Sequence, residues 1–316
     1  MTKSEFVGIE EIPKEWEIIK LRDHTSKIGS GVTPLGGSQV YEKEGIPFIR
    51  SQNVHFDRLH LEDIVYITKK IQDEMSSTKL QPFDVLLNIT GASIGRCNYV
   101  PPDFGEGNVN QHVCIIRTTQ RLNPIFLAKF LSTPLMQDLI KSKQAGLSRQ
   151  GLTFREIGNL YILCPPILEQ QKIAAILSKV DHLIQKTEGI IEQTRWLKKG
   201  LIQRLFTTGV GHKRLKTVKL FPLYKHEQIP EGWTIAALKD VVQIIDYRGR
   251  TPPFSKEGII HIRSNNIRNS KIVLDDVVYV SEKIYDEYMT RGIPKEDDVL
   301  FTTEGPLGEV ALVPKN

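Results

Sequence analysis

Apolar residues in this chain gather in short runs broken by glycine, proline and asparagine, and one long stretch departs from that pattern. Ile46–Val54 (IPFIRSQNV), Leu61–Ile67, Asp84–Thr90 (DVLLNIT), Arg96–Val100, Gly107–Arg117 and Ile157–Leu163 read as strands. Ile12–Leu21 reads as an extended lead-in with Trp16 as a core anchor. Lys69–Lys79, Ile125–Leu131 and Leu135–Lys143 read as helices, the last two separated at Pro134. Gly29–Gly37 (GSGVTPLGG) and Gln144–Thr153 (QAGLSRQGLT) read as loops, and Gly91–Gly95 (GASIG) as a tight turn. Many strands at short intervals with few helices describe an irregular, largely β module.

The exception is Pro166–Thr208. There apolar residues recur at 173, 176, 177, 180, 183, 184, 190, 191, 197, 201 and 205, the spacing of one helical stripe, with Thr187 and Thr194 filling two gaps. A helix of that length spans roughly 60 Å, too long for a small core. Gly189 and Gly200 each cost about 1 kcal/mol relative to alanine, so the stripe predicts a partner helix.

On either side of this helix the same pattern occurs twice. IPKEWEIIKLRD at Ile12–Asp23 returns as IPEGWTIAALKD at Ile229–Asp240, and Gly45–Thr68 matches Gly258–Ser281 at ten of twenty-four positions without a gap. The expected fold is α+β: an irregular, largely β module over 1–165, a long helix over 166–208, a basic irregular linker over 209–228 and a partial second module over 229–316. The second copy stops short of counterparts to Asn110–Val113 (NQHV), to the loop Gln144–Thr153 and to the long helix, so it is expected to be poorly ordered, in a chain that is either a fragment or a natural truncation.

Composition changes this picture in two places. The net charge of +5 is concentrated between Glu169 and Lys216, where ten Lys or Arg face four acids, which points to a polyanionic or acidic partner near the helix, with a solvated helix face as the alternative. Cys97, Cys114 and Cys164 form an odd, widely spaced set without a CxxC pair, suited to a reducing compartment. With no apolar signal core and no run long enough to span a bilayer, a cytoplasmic location is expected and a membrane is not.

Several motifs invite catalytic readings that the repeat argues against. GASIG fits a nucleophile elbow, but its copy, Glu304–Gly308, has proline in place of Ser93, as expected of a turn. Thr251–Phe254 (TPPF) resembles a base-holding loop, yet threonine replaces the acceptor Asn or Asp and the first copy reads TPLG. The eight histidines show no metal-ligand spacing: His55 and His60 are five apart beside a strand and His112 stands alone, so each reads as a surface or satisfied histidine. No catalytic residue, no metal and no cofactor held by this chain is expected.

What remains is a set of long hydrogen-bonding side chains in loops. Arg matches guanine, and Asn or Gln matches adenine, through paired groups on the base edge. The candidates are Arg50, Gln52 and Asn53; Thr90, Ser93 and Arg96; Asn110, Gln111 and His112; Ser148, Arg149 and Gln150; and, in the second copy, Arg263, Asn265 and Asn266. Turn formation and capping compete with this reading at each. Arg50, Ser51 and Asn53 recur as Arg263, Ser264 and Asn266, which suits framework or phosphate contacts; Gln52, His55 and Arg96 become Asn265, Arg268 and Glu309, which suits readers of different sequences.

The IPxxW start, Gly31–Pro34 (GVTP), GIPFIRSQNV, Asn110–Val113 (NQHV) and Cys164–Leu177 (CPPILEQQKIAAIL) together resemble the DNA-specificity subunits of type I restriction-modification systems, over essentially the whole chain. The resemblance implies two target-recognition domains, each reading one half of a bipartite target in double-stranded DNA, joined by antiparallel coiled-coil helices that set the gap between the halves. It implies no activity of the chain alone. S-adenosylmethionine, ATP and magnesium are expected on partner methyltransferase and translocating nuclease (restriction) subunits, and the spacer helix is expected to allow self-association. The competing readings are a non-catalytic helical scaffold or adaptor, and the recognition half of a methyltransferase-nuclease.

Overall fold

The computed structural model describes residues 12–143, 151–218 and 227–315, and the chain divides into two compact units, Met1–Ile202 and Gln203–Asn316. In the first unit four antiparallel strands lie in the order β2 (Thr25–Ser30), β8 (Val113–Thr118), β5 (Val85–Asn88), β6 (Cys97–Tyr99). Beside them β4 (Val65–Ile67), β3 (Ile46–Ile49) and β7 (Asn108–Val109) form a second sheet in which β3 and β7 run parallel. β1 (Glu17–Lys20) pairs with β9 (Tyr161–Cys164), tying the start of the module to its end.

The near-continuous apolar runs of β5 and β8 follow from burial on both faces. Val85, Leu87, Cys114 and Ile116 face a cluster with Phe126, Leu127, Leu131, Met136 and Ile140, contributed by α2 (Pro124–Leu131) and α3 (Pro134–Ser142). Leu86, Val113 and Ile115 point the other way, onto Ile49, Val54 and Val109. Cys97, Cys114 and Cys164 are buried and unbonded to one another, and burial pushes the Cys97 and Cys114 thiols up to about 12. Beneath the sheet Arg117 makes a two-pronged pair with the fully buried Asp84, Nε to Oδ1 and Nη2 to Oδ2, both at 2.7 Å.

Boundaries differ from the sequence pattern where local hydrogen bonding intervenes. Ile157 and Gly158 end a short helix, α4 (Phe154–Gly158), because Thr153 Oγ1 accepts from the Glu156 main-chain N–H and the Glu156 carboxylate accepts from that of Thr153; the strand begins only at Tyr161. The helix at Lys69 is α1 (Lys69–Glu74), followed by a 3-10 turn, and the run from Gly107 is two strands parted by a turn at 110–112. Trp16 is half-buried rather than a core anchor: its Nε1 donates to Glu169 Oε2 at 3.2 Å.

Glu169 lies in the first turn of α5, an unbroken helix over Ile167–Thr208. The next residue bolts that helix to its module. Gln170 is fully buried; its Oε1 accepts from the Asn123 N–H at 2.8 Å, and its Nε2 donates to Pro165 O at 2.8 Å and Arg121 O at 3.1 Å. Ala174 is buried, Ile173 packs on the same cluster and Lys129 pairs with Asp181. The PPILEQQKIA junction is thus a docking seam, and from Leu183 to Phe206 the apolar stripe stays exposed. Thr187 and Thr194 belong to that stripe because their hydroxyls donate back to Leu183 O and Ile190 O at 2.8 and 2.7 Å, leaving their methyls outward.

In the second unit part of the linker is regular: β10 (Leu215–Val218) pairs with β11 (Glu227–Pro230). A short α6 (Leu238–Val241) follows, then β12 (Ile259–His261) paired with β15 (Val278–Val280), β13 (Ile267–Arg268) with β14 (Lys271–Ile272), α7 (Glu282–Tyr288), and β16 (Val299–Phe301) with β17 (Val310–Leu312). Several local contacts of the first module recur here. Tyr41 and Phe48 rings lie 5.6 Å apart, Phe254 and His261 rings 5.7 Å. Gly45 and Gly258 sit at φ 133° and 131°, each with a carbonyl (Ile67, Val280) where a Cβ would stand. Against the expectation of poor order, this unit forms its turns and hairpins. Its core is slight, however: of its described apolar side chains Ile229, Ile267, Val280 and Ala311 are buried, whereas Val299, Phe301 and Leu312 are more than half exposed.

Candidate nucleic-acid interface

The candidate loops of the first module meet at one end of its sheets, and hydrogen bonds stitch them together. Asn110 N–H donates to Ile49 O at 3.0 Å and Ile89 N–H to His112 O at 3.0 Å. Asn88, fully buried at the end of β5, sends its Nδ2 to Ser51 O at 2.7 Å and to Ser93 Oγ at 3.1 Å. One side chain thereby holds the 51–53 turn against the GASIG turn. Ser93 Oγ thus takes part in holding the turn.

A second chain of bonds runs along the surface. Thr33 Oγ1 donates to Gln111 Oε1, Gln111 Nε2 lies 3.0 Å from His112 Nε2, and His112 Nδ1 meets Thr90 Oγ1. Thr90 also bridges to Gly151; the candidates Ser148, Arg149 and Gln150 lie outside the described residues. Gly31 explains why the TP loop starts with glycine, since a Cβ there would lie 1.6 Å from Val109 O. The strand ends therefore gather residues from four separate stretches, 31–33, 51–53, 88–96 and 110–112.

Among the candidates the structure separates outward groups from framework. Gln52 and Gln111 are exposed, and Thr90, Ser93, Arg96 and His112 half-buried. Asn53, Asn110 and Asn266 are 1%, 7% and 2% exposed, and each has its side-chain oxygen engaged by a main-chain N–H. Asn53 accepts from Arg50 N–H at 3.0 Å and donates to His60 O at 2.9 Å, and Asn110 accepts from His112 N–H at 3.1 Å. Asn266 accepts from Arg263 N–H at 2.9 Å and donates to Val273 O and Asp276 O. Arg50 and Arg263 are also largely committed, donating Nη2 to Asp63 O at 2.8 Å and Asp276 O at 2.9 Å. Asn265 is half-buried beside Asp276.

The divergent position after this turn behaves instructively. His55 Nε2 lies 3.0 Å from Gln52 O, and its counterpart Arg268 donates Nε to Asn265 O at 2.7 Å. The turn keeps its brace while the outward group changes. Thr33 and Asn88 were missed from sequence; the only signal for Asn88 was a polar residue at the end of an otherwise apolar strand. The structure also corrects the reading of the histidines as separate, since the His55 and His60 rings stack at 4.0 Å with Asp57 beside them.

Among the described residues no helix is long and apolar enough to cross a membrane. Residues 13–194 match the family described as type I restriction modification DNA specificity domain. The chain is 29% identical over 300 residues to the type I restriction enzyme MjaVIII specificity subunit of Methanocaldococcus jannaschii, covering 94% of this chain and 65% of that one. It is 22% identical over 300 residues to the EcoKI specificity subunit of Escherichia coli K12, covering 92% of this chain and 62% of the relative. The crystal structure of an HsdS subunit from Thermoanaerobacter tengcongensis is 20% identical with a TM-score of 0.41, over 63% of this chain and 47% of that one.

Proposed function

The chain belongs to the type I restriction-modification DNA specificity family, and from that premise we propose that it selects the duplex sequence on which partner subunits act. The observation that carries this reading is the convergence of exposed Gln52 and Gln111 with Arg96 and His112 at one end of the first module, on turns held by buried Asn53, Asn88 and Asn110. Side-chain amides and guanidinium groups on rigid turns suit base edges. The second module repeats the braced turn with different outward groups, Asn265 and Arg268, and supplies the reader of a second half-site.

The long helix sets the distance between the half-sites, and its exposed stripe takes a partner helix, a second copy of this chain. Methyltransferase subunits dock on this assembly and bring the S-adenosylmethionine chemistry; a restriction subunit brings ATP and magnesium. This chain supplies recognition and spacing, and catalyses nothing by itself.

Selection from a random duplex pool tests the reading. The purified chain enriches a defined motif, binds it with an affinity that falls as salt rises, and methylates no adenine without its partners. Binding that enriches no motif would instead favour a helical scaffold.

A further inference from the structure

The hairpin after the braced turn carries a constellation that DNA recognition does not explain. Val54 and Leu59 pair across it and point into the core, so His55 and His60, one step further along each arm, share the opposite face. Their imidazoles stack at 4.0 Å with 25° between planes. Asp57, exposed at the tip, places Oδ2 3.0 Å from His60 Nε2, and one ligand atom from each of the three residues lies within 4.8 Å of the others.

We propose that His55, Asp57 and His60 form a site for a divalent transition-metal ion of the zinc, nickel or cobalt class. Two imidazoles and a carboxylate are the donors such ions prefer, with further positions left for water. Bonds of about 2.0–2.2 Å in a tetrahedral shell put neighbouring donors about 3.3 Å apart. The His60–Asp57 edge, 3.0 Å to Oδ2 and 3.3 Å to Oδ1, is close to that length, and rotation of these surface side chains closes the third corner.

The surroundings fit. The carbonyl of Gln52 can only accept, so the 3.0 Å contact places the proton on His55 Nε2 and leaves Nδ1 with its lone pair outward, the outer-shell support that ligating histidines use. Asn98, buried, donates to His55 O at 2.9 Å and Phe56 O at 3.3 Å, and Asn53 donates to His60 O, so the hairpin main chain is held at both ends. Arg58 Nε, 4.0 Å from Asp57 Oδ2, is the competing cation, but its Nη2 is engaged by Glu62 at 2.8 Å. The second module sharpens the point. There Arg268 braces the same carbonyl, so histidine at 55 is not needed for the brace; what it adds is a nitrogen lone pair. The positions of Asp57 and His60 are Ser270 and Val273 in that copy, so the set belongs to the first module alone.

Binding at His60 Nε2 needs the tautomer that carries its proton on Nδ1, so the metal replaces the Asp57 contact without requiring a net loss of a proton. The test uses the full chain, free of any affinity tag and stripped with a chelator, titrated with Zn²⁺ by calorimetry and with Co²⁺ by visible absorption. One saturable site per chain is expected, with the d–d bands of low-symmetry cobalt. His55→Gln and His60→Gln should weaken it by about tenfold or more, at least the loss seen on removing an outer-shell partner, and His212→Gln should leave it unchanged. Because Asp57 is exposed and asparagine keeps its shape, Asp57→Asn gives the same reading in a variant whose unfolding curve in chelator matches the parent. Absence of saturable binding, or binding that survives the His55→Gln/His60→Gln double substitution, overturns the site.

Discussion

The Oδ1 of Asn53 accepts the main-chain N–H of Arg50 at 3.0 Å, closing the turn that carries Gln52 outward, and Asn266 closes the copy on Arg263 at 2.9 Å. Each asparagine also donates to a carbonyl seven residues on, His60 and Val273. Asn53→Ala would strand a buried donor and acceptor, and should destabilise the first unit by about 2 kcal/mol or more in denaturant unfolding. Asn266→Ala should shift only the transition of the second unit, and a shift in both would show that the turns are not independent braces.

The surface chain Thr33–Gln111–His112–Thr90 makes its members act together. Gln111→Ala and His112→Ala should each relax base preference at a single position, by about 1–3 kcal/mol of discrimination, and the double substitution should cost less than their sum. Competition binding on the selected duplex and its single-base variants measures this. Salt-dependent binding to unrelated duplex should persist.

Exposed Leu183 and Ile191 lie on the stripe that awaits a helix. Light scattering should find a dimer of the purified chain. Leu183→Glu with Ile191→Glu should give a monomer with unchanged helical circular dichroism, because glutamate is a good helix former. A monomeric parent with a full helix would refute self-pairing.

One heptad inserted after Gln193 lengthens the helix by about 10.5 Å, equivalent to about three base pairs at about 3.4 Å each. Mapping of methylated adenines in cells that supply the partner subunits should show the gap between half-sites widened accordingly. An unchanged gap would remove the helix from the spacing role.

The Cys97 and Cys114 thiols are raised from 9.0 to about 12 by burial. The folded state therefore keeps them neutral where the unfolded chain ionises them. Their contribution to stability is complete below pH 9 and is lost as pH climbs toward 12. A thiol reagent at pH 8 should label neither until the module unfolds, and rapid native labelling of either would contradict the burial.

Periodicity and repetition made much of this molecule legible before any coordinates. The 3-4 stripe of 173–205 depends only on helical geometry, and the doubled IPxxW and GIxxIRSxN patterns located the two modules, because identical local hydrogen bonding needs identical residues. Short polar stretches were harder. An asparagine that reads a base and one that braces a turn look alike in sequence; burial divides them, placing Asn53, Asn88 and Asn110 inside and Gln52 and Gln111 outside. Burial is set by strands distant in the chain, as when Ile49 meets Val109 and Ile89 meets His112. The same holds for His55 and His60: five residues apart they signalled nothing, and they meet because Val54 pairs with Leu59 and turns both imidazoles to one face.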